Sequence, residues 1–94
     1  MATVSVIFGT WHGKEPIMSK TNQSEVLTSS GTSQTSANTG TTADQCVEVA
    51  TSGGAIWITL DGTTAAAGEG FLLPDGTTRT FDAGSGTQVK IIDA

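Results

Sequence analysis

The feature that most constrains this chain is a set of short runs in which large apolar residues occupy every second position. The first run is TVSVIF, at residues 3–8, and similar runs follow at 46–49, 55–60 and 89–92. Successive side chains of a strand point to opposite faces, so this period of two places one set of each run on a buried face. No window repeats apolar residues at helical spacing over three turns. The sequence therefore predicts an all-β protein.

Turn signals separate these runs. Glycine supplies the positive φ that tight turns need, and aspartate hydrogen-bonds to backbone just downstream of itself. Short strands and turns that alternate every 8–12 residues or so are typical of a small antiparallel β-sandwich or a jelly-roll-like barrel. The turn signals are Ser52-Gly53-Gly54, Asp61-Gly62, Asp75-Gly76 and Gly84-Ser85-Gly86.

The chain divides in this prediction into an extended N-terminal arm or long loop at residues 1–23 and a β-sandwich domain at residues 24–94. Residues 3–8 of the arm have the strand pattern, but the remainder carries Trp11, Ile17 and Met18 without a clean period. Because large apolar groups are enriched at interfaces, we expect this part to dock on a neighbouring subunit or another protein. The alternative is that the arm packs back on its own sheet and covers Trp57.

The Ser/Thr/Gly-rich segment Thr28–Asp44 has two interpretations. Its composition fits a disordered linker. Threonine favours strands, however, and a long structureless loop is unusual in a compact domain. We therefore predict polar strands with a turn at Ser30-Gly31.

Charge and length restrict the partners of the chain. The net charge is −5 and the four cations are scattered, so the positive stripe that nucleic-acid binding requires is missing. No apolar run is long enough for a membrane span or a signal peptide, and we expect synthesis in a reducing cytosol. A chain of 94 residues with one cysteine, Cys46, has a small core and no internal disulfide. Extra burial is therefore expected from other subunits, in a homo-oligomer.

Residues with catalytic or metal-binding chemistry are few. His12 has no nucleophile or partner beside it in the sequence, and the Gly-rich stretch Gly68–Gly70 lacks the lysine and helix of a phosphate loop. The carboxylates lie in turns, where aspartate bonds nearby backbone, and this is a sufficient explanation for them. Cys46 is expected to be a small buried side chain. We predict no catalytic residue, no metal, no cofactor and no enzymatic activity. The carboxylates whose chemistry suits a calcium ligand are Asp61, Glu69, Asp75 and Asp82.

The two tryptophans are the stronger functional hints. In the alternation of residues 55–60, Trp57 points away from Ile56 and Ile58. If those isoleucines line the core, Trp57 faces outward as an interface anchor or a platform for sugar stacking. The alternative is a sheet covered on both faces. Thr59 shares the outward face, so its truncation is expected to cost little stability. The predicted interface residues are Trp11, Ile17, Met18 and Trp57.

From Ser24 onward the chain resembles a diffuse group of small β-rich structural proteins of tailed bacteriophages. The resemblance lies in "SEVLTSSGTSQTSA" followed by "GGAIWITLDGTTAAAGEGFLLPDGTTRTFDAGSGTQVKIIDA", where strand and turn types recur in the same order. It implies a non-enzymatic virion protein, most simply a capsid decoration (cement) protein that binds the major capsid protein or other virion proteins. It implies no catalytic residues. The alternatives are a tail or fibre module that recognises host glycan, and a head–tail adaptor.

Overall fold

The chain folds into two antiparallel β-sheets. The computed structural model describes residues 1–12, 15–40, 45–84 and 86–94, and the side chains of all of these except 11, 12 and 15–22. The described residues contain no helix, and the predicted all-β class is confirmed. The strands are β1 (Thr3–His12), β2 (Glu15–Thr28), β3 (Gln34–Thr35), β4 (Gln45–Ser52), β5 (Ile56–Thr59), β6 (Phe71–Leu73), β7 (Thr78–Asp82) and β8 (Lys90–Asp93).

The first sheet has the order β2-β1-β4-β7 and the second sheet has the order β3-β8-β5-β6. β1 lies between β2 and β4, and its Val6 is opposite Glu25 on one side and Val49 on the other. In the second sheet β5 lies between β6 and β8, with Ile58 opposite Phe71 and Ile91. All of these pairings are antiparallel, as the short strands and tight turns predict.

The core lies between the inner faces of the two sheets. Alternation decides its membership, because the second, fourth and sixth residues of a run such as TVSVIF reach the same side of the strand. Leu27 and Leu60 pack against its margin. The apolar residues of the core cluster are Ala2, Val4, Val6, Phe8, Val47, Val49, Ile56, Ile58, Leu73, Phe81, Ala83, Val89 and Ile91.

The N-terminal residues differ from the predicted arm. Residues 3–10 pair with β4 over their whole length, and Val4, Val6 and Phe8 are fully buried in the core. The expected boundary between residues 23 and 24 also falls inside β2. The reason is the register of the hairpin: the apolar set of β1 fits between the sheets, so the strand completes its own domain's core. It is not free to pair with a neighbour.

The Ser/Thr-rich segment also differs from the prediction. It contains only the two-residue strand β3, and residues 36–40 follow an irregular path, while residues 41–44 lie outside the described part. Side chains replace the missing ladder. Ser36 N donates to Val89 O at 2.7 Å, and Val89 N donates to Ser36 Oγ at 3.0 Å. Ser36 Oγ also donates to Asn38 O at 2.8 Å, two residues downstream. A serine that bonds nearby backbone in this way competes with strand formation, which explains why polar strands do not form here.

Glu25 anchors this segment to the first sheet. It points to the inner face of β2, opposite Val6, and its carboxylate oxygens accept hydrogen bonds from Ala37 N at 3.1 Å and Asn38 N at 3.0 Å. An inward-pointing charge on an edge strand is a common way of keeping that edge from pairing with another chain. Residues 36–40, which we call the strap, therefore close one side of the sandwich.

An aromatic pair closes the opposite side. Phe71 on β6 and Phe81 on β7 have ring centroids 5.0 Å apart, at an interplanar angle of 50°. The Arg79 guanidinium lies 4.9 Å from the first ring centroid and 5.2 Å from the second. Such cation–π geometry is favourable, and it covers the gap between the edge strands of the two sheets.

The predicted Gly turns are present where the structure describes them. Gly53, Gly62, Gly76 and Gly86 all have positive φ, between 75° and 94°. The Asp75-Gly76 turn does not form a hairpin, because β6 belongs to the second sheet and β7 to the first. Asp75 instead accepts a hydrogen bond from Gly53 N at 2.9 Å, which ties two neighbouring turns together.

Candidate interaction surface

Trp57 lies at the middle of the second sheet, on the face that points away from the core. Its neighbours Ile56 and Ile58 are fully buried between the sheets, so the alternation of β5 turns the indole outward. Register places Leu72 of β6 on one side of Trp57 and Ile92 of β8 on the other. Opposed residues of antiparallel strands share a face at about 4.5–5.5 Å between Cβ atoms. Leu72, Trp57 and Ile92 thus form one apolar row, which we call the outer row.

The outer row is partly exposed to solvent. Leu72 is 46% exposed, and Trp57 and Ile92 are half-buried. None of the three belongs to the core cluster, so the core is complete without them. A contiguous apolar row that the core does not use is a surface suited to binding another molecule.

The other predicted interface residues lie outside the part of the chain whose side chains are described. Trp11 is in β1, and Ile17 and Met18 are in β2, with Trp11 paired to Met18 in the backbone register. The structure thus places their backbone in the β1–β2 hairpin. Their role as interface residues stays a prediction. The absence of a catalytic or metal-binding role for His12 also stays a prediction, because its side chain is likewise outside the described part.

The connection from β5 to β6, residues 60–70, folds back over the end of the second sheet. Thr59 Oγ1 donates to Thr63 O at 2.7 Å, and Thr63 N donates to the Asp61 carboxylate at 3.0 Å. That hydrogen bond lowers the pKa of Asp61 below its usual value. Ala65 N donates to Ser33 Oγ at 3.1 Å, which fixes the connection against the chain just before β3. Thr59 is therefore buried, although it points away from the core.

A groove of about 340 Å³ opens between this connection and the strand ends. Gly70 closes the return into β6 with a φ of 86°, and a Cβ atom there would overlap the Ile58 carbonyl oxygen. Only glycine fits such a backbone approach at positive φ. The groove is lined by Ile58, Leu60, Phe71, Thr59, Thr63, Asp61, Glu69 and Gly70.

The carboxylates considered as metal ligands do not assemble into a site. Asp61 and Glu69 both line the groove, whereas Asp75 is engaged with Gly53 in the turn before β7. Asp82 lies on β7 opposite Cys46. Among the described residues no group of three or more His, Cys, Asp and Glu side chains is placed to hold a metal ion.

Cys46 is buried, and it lies opposite Gly9 of β1 on one side and Asp82 of β7 on the other. Burial raises the pKa of the Cys46 thiol above its ordinary value, and the Glu48 and Asp82 carboxylates raise it further. The reactive form of cysteine is the thiolate, so these surroundings oppose nucleophilic chemistry. Cys46 is a small buried side chain, as the sequence predicts, although it lies outside the core cluster.

Comparison with known proteins adds no relative: no protein-family model, curated protein or solved structure matches the chain. The described residues contain no helix of the length and apolarity that crossing a bilayer requires. Among the residues whose side chains are described, the outer row and the groove are surface features suited to binding another molecule.

Sequence reasoning found Trp57 but missed its partners. Ile92 was visible as an outward residue of the last run, yet the pairing of β8 with β5 depends on a register between strands more than thirty residues apart. Leu72 lies in a three-residue strand, too short for a period of two to be recognised. The groove was missed because it depends on how residues 60–70 return, which no local pattern specifies.

Proposed function

We propose that the chain is a non-enzymatic structural protein of a tailed-bacteriophage virion. In this role it is a capsid decoration protein that acts as a homo-oligomer on the major capsid protein. It stabilises the phage head through buried interface area and needs no chemistry of its own. The observation that carries the proposal is the outer row, an apolar surface that the domain's own core leaves uncovered.

The composition of the surface supports this role. Only 14% of residues are charged, against about a quarter in a typical globular domain. The cores of protein interfaces are depleted in charged residues, and Trp is among the residues enriched there. A sandwich with a low charge density and an outward Trp57 therefore fits a subunit that is surrounded by other proteins.

A second candidate is a tail or fibre module that binds host glycan. The observation that favours it is the half-exposed indole of Trp57 between two aliphatic side chains, because sugar rings stack on flat aromatic surfaces of this kind. The two roles use the same surface in different places of the particle.

The test is to purify virions from cells that produce the chain, identify it by mass spectrometry and locate it by cryo-electron microscopy. The decoration role predicts many symmetry-related copies on the outside of the head, with Leu72, Trp57 and Ile92 buried in a protein contact. Density at the tail tip would favour the glycan-binding module, and density at the neck a head–tail adaptor. Absence of the chain from purified virions would exclude a virion role altogether.

A further inference from the structure

The groove beside residues 60–70 combines an apolar base with an acidic margin. Leu60 and Phe71 supply its accessible apolar base, whereas Ile58 also lines the groove but is fully buried. Asp61 and Glu69 are both exposed and line the same opening. This arrangement differs from the outer row, which carries no carboxylate.

Both carboxylates are available to an incoming group. Asp61 uses one oxygen to accept from Thr63 N at 3.0 Å, and a carboxylate has capacity for several more hydrogen bonds. Glu69 N donates to Ala66 O at 3.1 Å, but the Glu69 carboxylate forms no hydrogen bond or ion pair with the described residues. Its negative charge is therefore not neutralised by a contact within that part of the chain.

Among the cations whose side chains are described, Lys90 and Arg79 lie beside the groove and each already has a contact. Lys90 Nζ donates to Gly62 O at 3.0 Å, and it makes the smallest of the contributions that lower the pKa of Asp61. Arg79 lies over the rings of Phe71 and Phe81. Neither cation lines the groove, and neither forms an ion pair with Asp61 or Glu69, so both carboxylates can pair with a cation from outside.

We propose that this groove binds a single lysine or arginine side chain of a partner protein. Such side chains have an aliphatic stem and a charged head, so the stem fits the apolar base while the head meets Asp61 and Glu69. A volume of about 340 Å³ accommodates one long side chain and is too small for a helix or a folded segment. The net charge of −5 attracts the same class of partner at longer range.

This inference is independent of the virion role. A basic side chain can come from any protein that the domain contacts, and the groove is present in the isolated chain. Its failure would leave the outer row and the proposed function unaffected, and absence of the chain from virions would leave the groove unaffected.

The test uses small molecules that imitate the side chain. Butylguanidinium has the stem and head of arginine, and butylurea has nearly the same shape without the charge. In ¹H–¹⁵N spectra of the full chain, butylguanidinium should shift the amides of Gly62, Thr63 and Gly70 in a saturable manner. Butylurea should bind several-fold more weakly, and added salt should reduce the difference because it screens exposed charges.

Variants assign the effect to the two carboxylates. Asp61→Asn retains an acceptor for Thr63 N, and Glu69→Gln changes an exposed side chain, so both should fold. Each substitution should weaken the binding of butylguanidinium about two- to five-fold, the range expected for an exposed ion pair. Glu48→Gln, on the outer face of the first sheet, is the matched control and should leave the affinity unchanged.

Three results would overturn the proposal. The first is equal affinity for butylguanidinium and butylurea, and the second is an equal loss in all three variants. The third is the absence of saturable shifts at the groove amides, including the case in which butylguanidinium perturbs the Trp57 indole alone.

Discussion

Ile58 and Thr59 are adjacent residues on opposite faces of β5, and both are buried for different reasons. Ile58 is fully enclosed between the sheets, and Thr59 lies under residues 60–63 with its hydroxyl bonded to Thr63 O. Alternation predicted the first burial. It could not predict the second, because a period of two describes a strand and not the loop that later covers it. The burial and the hydrogen bond of Thr59 give a reason to expect that its truncation costs more than its outward face alone suggests.

Truncation at these two positions should reduce stability by different amounts. Ile58→Ala, and likewise Ile56→Ala, should lower the free energy of unfolding by about 2–5 kcal/mol, the range for a buried isoleucine. Thr59→Ala removes one hydrogen bond and should lower it by about 0.5–1.5 kcal/mol. Urea denaturation followed by circular dichroism measures all three. The exposed Thr64→Ala is the control, with a change within about 0.5 kcal/mol.

These values test the assignment of faces directly. If Ile58→Ala and Thr64→Ala gave equal, small losses, Ile58 would not face the core. If Thr59→Ala lost no more stability than Thr64→Ala, that result would contradict the placement of residues 60–63 over β5.

The raised pKa of the Cys46 thiol leads to a prediction about stability at alkaline pH. Its pKa is raised in the folded chain, mainly by burial, so the folded state holds the thiol proton more tightly than the unfolded state does. The stability that this difference provides is complete below the unfolded thiol pKa of about 8.5 and falls as pH rises toward the folded value. As the pH rises above about 8.5, the free energy of unfolding of Cys46→Ala should therefore fall less steeply than that of the wild-type chain.

Denaturation midpoints measured between neutral and alkaline pH check this, with Thr64→Ala as a variant that keeps the thiol. A thiol reagent provides a second readout, because the buried Cys46 should react slowly in the folded chain and rapidly in urea. Fast reaction without denaturant would contradict the burial of Cys46.

At the scale of the element, β1 is the strand on which the first sheet depends. It pairs with β2 and β4 at once and contributes Val4, Val6 and Phe8 to the core. Deletion of residues 1–23 should therefore abolish folding, since it removes an inner strand and most of β2. Far-UV circular dichroism and urea denaturation of the truncated chain measure this. A cooperative unfolding transition in that chain would show that residues 24–94 form a domain without β1.

The strap depends on a close approach between two backbone segments. A Cβ atom on Gly40 would overlap the carbonyl oxygens of Gly84 and Ala83, whereas one on Gly31 would meet nothing within 4 Å. Gly40→Ala should thus lower the free energy of unfolding by about 1–3 kcal/mol, as overpacking does. Gly31→Ala is the matched control and should be neutral or slightly stabilising. Equal effects in thermal denaturation would contradict the packing of the strap against Gly84.

The elements differ in how well the sequence predicts them. The β1, β4, β5 and β8 strands carry alternating Val and Ile, and their core faces follow from that pattern. β6 has three residues, and its place beside β5 is settled by tertiary pairing. The prediction of strand for the strap is wrong. The strand propensity of threonine is weak compared with the serine and glutamate hydrogen bonds that hold the segment.

For the whole molecule, the sequence predicted a β-sandwich or a jelly-roll-like barrel, with Trp57 either outward or covered on a second face. It did not predict the outer row or the groove. Both the outer row and the groove form where segments far apart in the sequence come together in the fold. A stable interface buries about 800 Å² on each partner. That is about one sixth of the 4830 Å² surface of the chain, so an interface centred on the outer row would extend beyond its three partly exposed side chains.

We propose that the outer row is an assembly surface, and the molar mass of the chain in solution tests this proposal. Light scattering after size exclusion should give the wild-type chain a mass several times 9.5 kDa at high concentration. Trp57→Ser should elute as a monomer with an unchanged circular dichroism spectrum, because the indole lies outside the core cluster. The control Thr64→Ser should assemble like the wild type. A wild-type chain that stays monomeric at all concentrations, or a Trp57→Ser chain that assembles normally, would contradict the claim.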